Sequence, residues 1–401
     1  MTRGALGITL VVDHPAQHFV RAFQHLAAEP GLMVHICYGS TPERSYDVGF
    51  ARPVSWDIDL LEGYPWTTPG SIRPAAWLFR ELRRTRPDVV VCYGWSAPIV
   101  RAAIMYCLLA RIPLLMYGDT TWQHSSRGRR GMARSAALKL LLRWFTGAVS
   151  TGTFNREFYI RHGMDPRCIW PSVCPADTDM FGEARVERQP NTDDELRIGF
   201  AGKLTPRKGV DELLRAAALL PPARAWSVTV IGEGPSLPEL QVLVADLGLG
   251  DRIVFHGFAN TTEMPKLLAG FDVVVVPSRL DMRVLVTIEA MAAGAAVIVS
   301  DATAVWGPGD LIEDGETGLV YRSGEAAMLA GQLERLLDDP ALLASLQRAG
   351  AERSARFGPD VFARTMRDAA VMCLSQESSR GKRRAGLAAL ESPSGTSGRA
   401  N

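Results

Sequence analysis

Short apolar runs without polar alternation recur along most of the chain. Ile8–Val12, Met33–Tyr38, Val89–Tyr93, Leu114–Tyr117 and Ala148–Ser150 form one series. Arg197–Ala201, Ser227–Ile231, Ile253–Phe255, Val273–Val276 and Ala296–Val299 form a second. Such runs predict strands buried on both faces, the condition of a parallel sheet covered by helices. Helix-length segments lie between them, for example Asp211–Leu220 and Leu237–Leu247. The alternation predicts an α/β chain with two Rossmann-like, doubly wound domains. A polar stretch, Phe181–Glu195, has no apolar period and reads as the linker between them. The expected division is 1–185 for the first domain and 186–357 for the second. A helix within 358–377 is expected to pack back on the first domain. The tail 378–401 is rich in Gly, Ser, Arg and Ala, so disorder is expected there. Open parallel sheets bind ligands outside the carboxyl ends of their strands. Two of them facing each other put the site in the cleft between.

Composition narrows the class. The 401 residues are 47% hydrophobic and 22% charged, the balance of a globular protein. A net charge of +1 gives no general bias toward nucleic acid. The six cysteines are scattered and lack C-x-x-C spacing, so neither disulfides nor structural zinc are expected. A reducing, cytoplasmic setting fits that usage. The run Ile8–Asp13 is too short for the apolar part of a signal peptide. No stretch of about 20 apolar residues, the length of a membrane span, occurs.

Three stretches carry chemistry. Phe200–Gly209 (FAGKLTPRKG) follows a strand and precedes a helix, and it holds Lys203, Arg207 and Lys208. Gly202 permits a tight turn there, and the following helix N-terminus also favours anions. The stretch suits a phosphate or diphosphate; a solvated basic turn is the plain alternative. Pro277–Gly294 places Asp281 before a helix and Glu289 within it. Carboxylates so placed accept hydrogen bonds from sugar hydroxyl pairs, or are two acids on an ordinary amphipathic helix. In Ser300–Val320, Gly307 and Gly309 bracket a proline, making a loop that can present backbone N–H groups.

In this order, with Gly232–Pro235 and His256–Phe258 between them, these stretches resemble the retaining GT-B glycosyltransferases of family GT4, across about residues 196–356. The resemblance implies that Lys203 and Lys208 contact a donor diphosphate. It implies that Asp281 binds donor-sugar hydroxyls, that Glu289 binds the nucleotide ribose, and that Gly307 and Gly309 belong to the donor-sugar loop. The first half resembles the family more loosely. Asp13–Phe19 (DHPAQHF) looks like the first βα loop of a bacterial subgroup, and Tyr117-Gly118-Asp119 resembles its R-G-[DE]-S element. His14, Gln17 and His18 are thereby acceptor-side candidates, and Asp119 joins Asp281 as a catalytic candidate. For each, a capping or packing role is the alternative.

The chain also departs from the family. Asp281 stands where Glu is usual, Arg283 and Val284 replace an aromatic and a glycine, and Tyr117 replaces Arg. Arg283 can offset the change by a bidentate phosphate contact. Two readings follow. One is a metal-independent retaining transferase, moving a sugar from a nucleoside-diphosphate-sugar to a glycan, lipid-linked or small-molecule acceptor. The other is a weak or inactive nucleotide-sugar-binding or regulatory protein on the same fold. No metal or other cofactor is expected. Arg127–Phe145 and Trp77–Arg86 combine basic residues with apolar faces. They suggest peripheral contact with the inner face of a membrane, the alternative being core helices with a solvated basic side.

Overall fold

The structure, a computed structural model, describes residues 4–41, 45–121, 129–171, 175–187, 195–282 and 284–390. Its N-terminal half carries β1 (Leu6–Val12), β2 (Leu32–Tyr38), β3 (Ser45–Asp47), β4 (Arg52–Val54), β5 (Trp66–Thr67), β6 (Val89–Tyr93), β7 (Leu114–Gly118), β8 (Gly147–Ser150) and β9 (Ile169–Pro171). Its C-terminal half carries β10 (Leu196–Ala201), β11 (Trp226–Ile231), β12 (Ile253–Gly257), β13 (Val273–Val276), β14 (Ala296–Ser300) and β15 (Leu319–Tyr321). Every strand expected from an apolar run is present. The strands that were not expected, β3, β4, β5, β9 and β15, are two or three residues long and have too few apolar positions to make a pattern.

Two parallel sheets form, in the orders β5-β2-β1-β6-β7-β8-β9 and β12-β11-β10-β13-β14-β15. In each, the order reverses beside the first strand of its half. β1 pairs with both β2 and β6, and β10 pairs with both β11 and β13. That reversal opens a crevice at the carboxyl ends of the two adjacent strands. β3 and β4 pair antiparallel and join neither sheet.

Each sheet is buried on both faces, as continuous apolar strands require. Val273 and Val275 enter one core of the C-terminal half, while Val274 and Val276 enter the other. In the N-terminal half Ile8, Leu10 and Val12 face one core and Val11 the opposite one. The five described cysteines, Cys37, Cys92, Cys107, Cys168 and Cys373, are free and buried.

The connections differ from the sequence expectation in two places. The supposed linker Phe181–Glu195 opens inside a helix, Thr178–Val186. Phe181 is the cause: it is buried in the C-terminal core with Ile288 and Met291. The Asp177 carboxylate caps that helix by accepting the Met180 amide at 3.2 Å. The last helix, Pro359–Leu390, buries Phe362, Ala363, Met366, Ala369, Ala370 and Cys373 in the N-terminal core. This i, i+4, i+7 stripe returns the chain to the first half. The helix continues to Leu390, beyond the 377 boundary set for the tail. Ala, Leu, Arg and Lys are strong helix formers, so a segment short of apolar residues can still extend a helix. Among the described residues no helix is long and apolar enough to cross a membrane.

Candidate active site

β10 and β13, the strands at the reversal, end in the two stretches singled out above. After β10 the chain makes a short 3-10 turn, Pro206–Lys208, and enters the helix Val210–Ala217. Gly209 joins them at φ +69°, and a Cβ there would lie 2.0 Å from the Pro277 carbonyl oxygen. Only glycine lets the two strand ends approach this closely. After β13 the chain passes Asp281 and enters the helix Leu285–Ala292, which carries Glu289. Asp281 therefore precedes its helix, as the spacing suggested.

Asp281 is held firmly. Its backbone pairs with the β14 exit loop, donating to the Ala302 carbonyl at 3.2 Å and accepting from the Ala304 amide at 2.9 Å. Its carboxylate meets the Lys208 ammonium at 2.5 Å and accepts from the Ser278 hydroxyl at 3.4 Å, with Arg207 at 3.9 Å. The carboxylate is 7% exposed and Lys208 16%, so this is a nearly dry ion pair. Lys203 is paired too. Its ammonium lies 2.7 and 2.9 Å from the two Asp47 carboxylate oxygens, and 4.9 Å from the centre of the Phe50 ring.

Glu289 sits half-buried on the cleft floor. Burial pushes its carboxyl up to about 7, and the nearby Asp177 carboxylate adds to the effect. Asp177 is itself raised by burial, despite the Met180 amide and the Arg21 guanidinium at 3.3 Å. Two acids on one poorly hydrated wall disfavour ionisation of both.

A cleft of about 780 Å³ unites these parts. Gly202, Lys203, Arg207, Lys208, Asp281, Val284 and Glu289 line it from the C-terminal half. Gln17, His18, Arg21, Phe50 and Trp56 line it from the opposite side, and Asp177 lies beside Glu289. Gln17 and His18 sit in a 3-10 turn just past β1, at the reversal point of the first sheet. The other candidates fall elsewhere. His14 is exposed, with its ring 3.5 Å from Asp13, and is not among the lining residues. Asp119 follows β7, one strand beyond the reversal, and also lies off the cleft wall.

Gly307 and Gly309 do not present free amides to the cleft. The Gly307 amide donates to the Ile312 carbonyl at 2.9 Å, and the Gly309 amide to the Glu313 carboxylate at 3.0 Å. Gly309 lines a separate cavity of about 340 Å³ together with Thr153, Arg156, Arg353 and Arg356. The cause is Asp310, which turns toward the N-terminal half and accepts the Thr153 amide at 2.7 Å. Arg283 lies outside the described residues. Sequence reasoning assigned no role to Asp47, Arg21 or Asp177. Nothing local marks the proximity of Asp177 to Glu289.

Comparison with known proteins now fits a built site. Residues 183–353 match the family model for glycosyl transferases group 1. The chain is 33% identical to an alpha-D-kanosaminyltransferase of Streptomyces kanamyceticus over 168 residues, 42% of each chain. It is 31% identical to a D-inositol 3-phosphate glycosyltransferase of Acidothermus cellulolyticus over 296 residues, 70% of this chain and 62% of that one. The matched stretch thus spans about two fifths of the first relative and under two thirds of the second. In structure, the chain is similar to HepE of Anabaena in complex with UDP, with a TM-score of 0.71 at 18% identity, over 90% of this chain and 99% of that one. The architecture is the GT-B fold. Residues 183–353 are thus a glycosyl transferases group 1 domain.

Proposed function

We propose that the protein transfers a sugar from a nucleoside-diphosphate-sugar, held in the cleft, to a glycan, lipid-linked or small-molecule acceptor, with retention and without a metal. One observation carries the reading. Lys203, Arg207 and Lys208 converge with Asp281 and Glu289 at the reversal point of the second sheet, facing Gln17 and His18 across the cleft. A departing diphosphate develops negative charge, and cations already in place lower its energy without reorganising. Lys208 and Lys203 take that role, Asp281 accepts from donor-sugar hydroxyls, and Glu289 accepts from the ribose. In the transfer, the bond between the anomeric carbon and the phosphate oxygen breaks. The acceptor hydroxyl bonds to that carbon on the same face, and its proton passes to the departing phosphate oxygen. Gln17 and His18, which line the cleft, orient the acceptor in this reading.

A second reading, a nucleotide-sugar-binding protein without turnover, draws on two observations. The Asp281 carboxylate is engaged by Lys208, and Val284 is buried at the position where the family has glycine. The experiment is a screen of UDP-, GDP- and other activated sugars by thermal shift and by hydrolysis, with EDTA present. Stabilisation and release of the nucleoside diphosphate are expected for at least one donor. No stabilisation by any donor sinks the proposal. Stabilisation without release, toward water or acceptor extracts, selects the second reading. Turnover that EDTA abolishes removes the metal-free mechanism.

A further inference from the structure

The β3–β4 hairpin and the segment after it leave the N-terminal half and lie across the donor half. Its contacts there run along the length of residues 47–57. Asp47 grips Lys203 with both carboxylate oxygens, at 2.7 and 2.9 Å. Arg52 meets the two Glu233 oxygens at 3.0 and 3.2 Å, with its guanidinium 4.9 Å from the Phe258 ring centre. Phe50 packs edge-on to Phe258 at 5.1 Å. The Asn260 side chain donates to the Ser55 carbonyl at 3.1 Å and accepts the Asp57 amide at 3.2 Å. Two glycines permit the approach. A Cβ on Gly49 would lie 2.5 Å from Lys203, and one on Gly234 would lie 2.8 Å from the Gly49 carbonyl oxygen.

We propose that this hairpin is a strap that a donor displaces, with Asp47 occupying on Lys203 the place of a donor phosphate oxygen. The inference rests on the nucleoside-diphosphate reading above. A carboxylate that grips an ammonium with both oxygens, as Asp47 grips Lys203, repels a phosphate at the same nitrogen. Asp281 meets Lys208 through one oxygen alone, and the structure distinguishes which acid can leave. Asp281 is nearly buried and pinned through its backbone to the β14 exit loop, so it stays on Lys208. Asp47 is about one-third exposed and belongs to a hairpin that pairs with neither main sheet. The ion pairs holding the strap are partly exposed, and such pairs contribute little against water.

Charge points the same way. Among the described residues, Lys203, Arg207 and Lys208 against Asp47 and Asp281 leave one net positive charge at this end of the cleft. Lifting Asp47 doubles it, which suits a diphosphate. Burial alone would raise the Asp47 carboxyl, but the Lys203 ammonium and the Phe50 and Gly49 amides outweigh burial and hold it below its ordinary value. It therefore remains an anion, and a competitor, at neutral pH.

The test measures UDP and GDP binding by calorimetry on the full chain, with Asp47→Asn, Lys203→Ala and the double variant. Asp47→Asn removes the competitor, so tighter binding of the preferred nucleotide is expected, by about tenfold, the scale of one lost charge contact. Lys203→Ala is expected to weaken binding, and adding Asp47→Asn to it should then give no gain. Unchanged or weaker binding in Asp47→Asn, while Lys203→Ala still weakens it, overturns the strap and leaves the donor reading standing. No binding of either nucleotide by any variant overturns both. Melting curves of all variants with and without UDP establish that each is folded.

Discussion

In the C-terminal half, the strands at the sheet reversal end directly in the residues assigned to the donor: β10 in Lys203 to Lys208, and β13 in Asp281. In the N-terminal half, the matching strands do less. β1 leads to Gln17 and His18 in a short turn, and the other cleft-facing groups come from a helix, a hairpin and the chain crossing between halves. The C-terminal side of the cleft is thus a prebuilt surface on rigid strand ends, and the other side is assembled from excursions. Such excursions change without disturbing a buried sheet. The same difference explains why a group such as Asp47 can move while Asp281 cannot.

The largest effect that would sharpen this contrast is expected from Lys208→Ala. It removes the charge-assisted contact to the donor that we propose, worth about 2 kcal/mol or roughly thirtyfold in nucleotide affinity. It also strips Asp281 of its ion partner, so the melting temperature is expected to fall as well. His256→Ala is the control. His256 lies 3.6 Å from Glu263, off the cleft wall, and should change affinity little. Equal losses in the two variants would break the view that the strand ends form the donor site.

Next in size is the pH response of Glu289. Its carboxyl is raised to about 7, above the ordinary 4.5, by burial first and Asp177 second. The stability contributed by this group is full below its unfolded value and is lost as pH rises through 7. The melting temperature is therefore expected to fall between pH 5 and pH 8 more steeply in the native protein than in Glu289→Gln. The ionised carboxylate is the better acceptor of ribose hydroxyls, so UDP affinity is expected to rise over pH 6–8. Glu289→Gln should flatten that rise. A rise of equal size in the variant would mean that other groups, such as the nucleotide's own phosphate, set the pH response.

The smallest effect concerns the outer face of the N-terminal half. The helix Arg129–Leu142 and its exit bury Leu138, Leu142 and Phe145, yet expose Met132, Leu140 and Trp144 beside Arg130, Arg134, Lys139 and Arg143. Basic and apolar groups together suit an anionic bilayer. Flotation with phosphatidylserine-containing vesicles at low salt is expected, weakening as salt rises. Failure to float at low salt would make this an ordinary solvated helix. The contrast would then lie wholly inside the cleft.

Much of the donor half was legible because its information is local. A buried parallel strand writes itself as an unbroken apolar run, and a phosphate-binding strand end as glycine followed by cations. Those patterns located β10 to β14 and the cations Lys203 and Lys208 at the end of β10. The placement of His14, Asp119, Gly307 and Gly309 was not legible. Whether a loop residue faces the cleft depends on where its strand falls in the sheet order, and on contacts such as that of Asp310 with Thr153.

By itself, then, the sequence determined two doubly wound halves, their core strands and which charged residues follow the strand ends. Hydrophobic periodicity and turn chemistry act over a few neighbouring residues. Only the tertiary structure decided that Asp47 sits on Lys203, that Asp177 stands beside Glu289, and that Asp310 turns the glycine loop away. Asp47 and Lys203 are 156 positions apart, and Asp310 and Thr153 are 157 apart. Such pairs meet only when two independently patterned halves face each other, and no local pattern in either half encodes the distance between them.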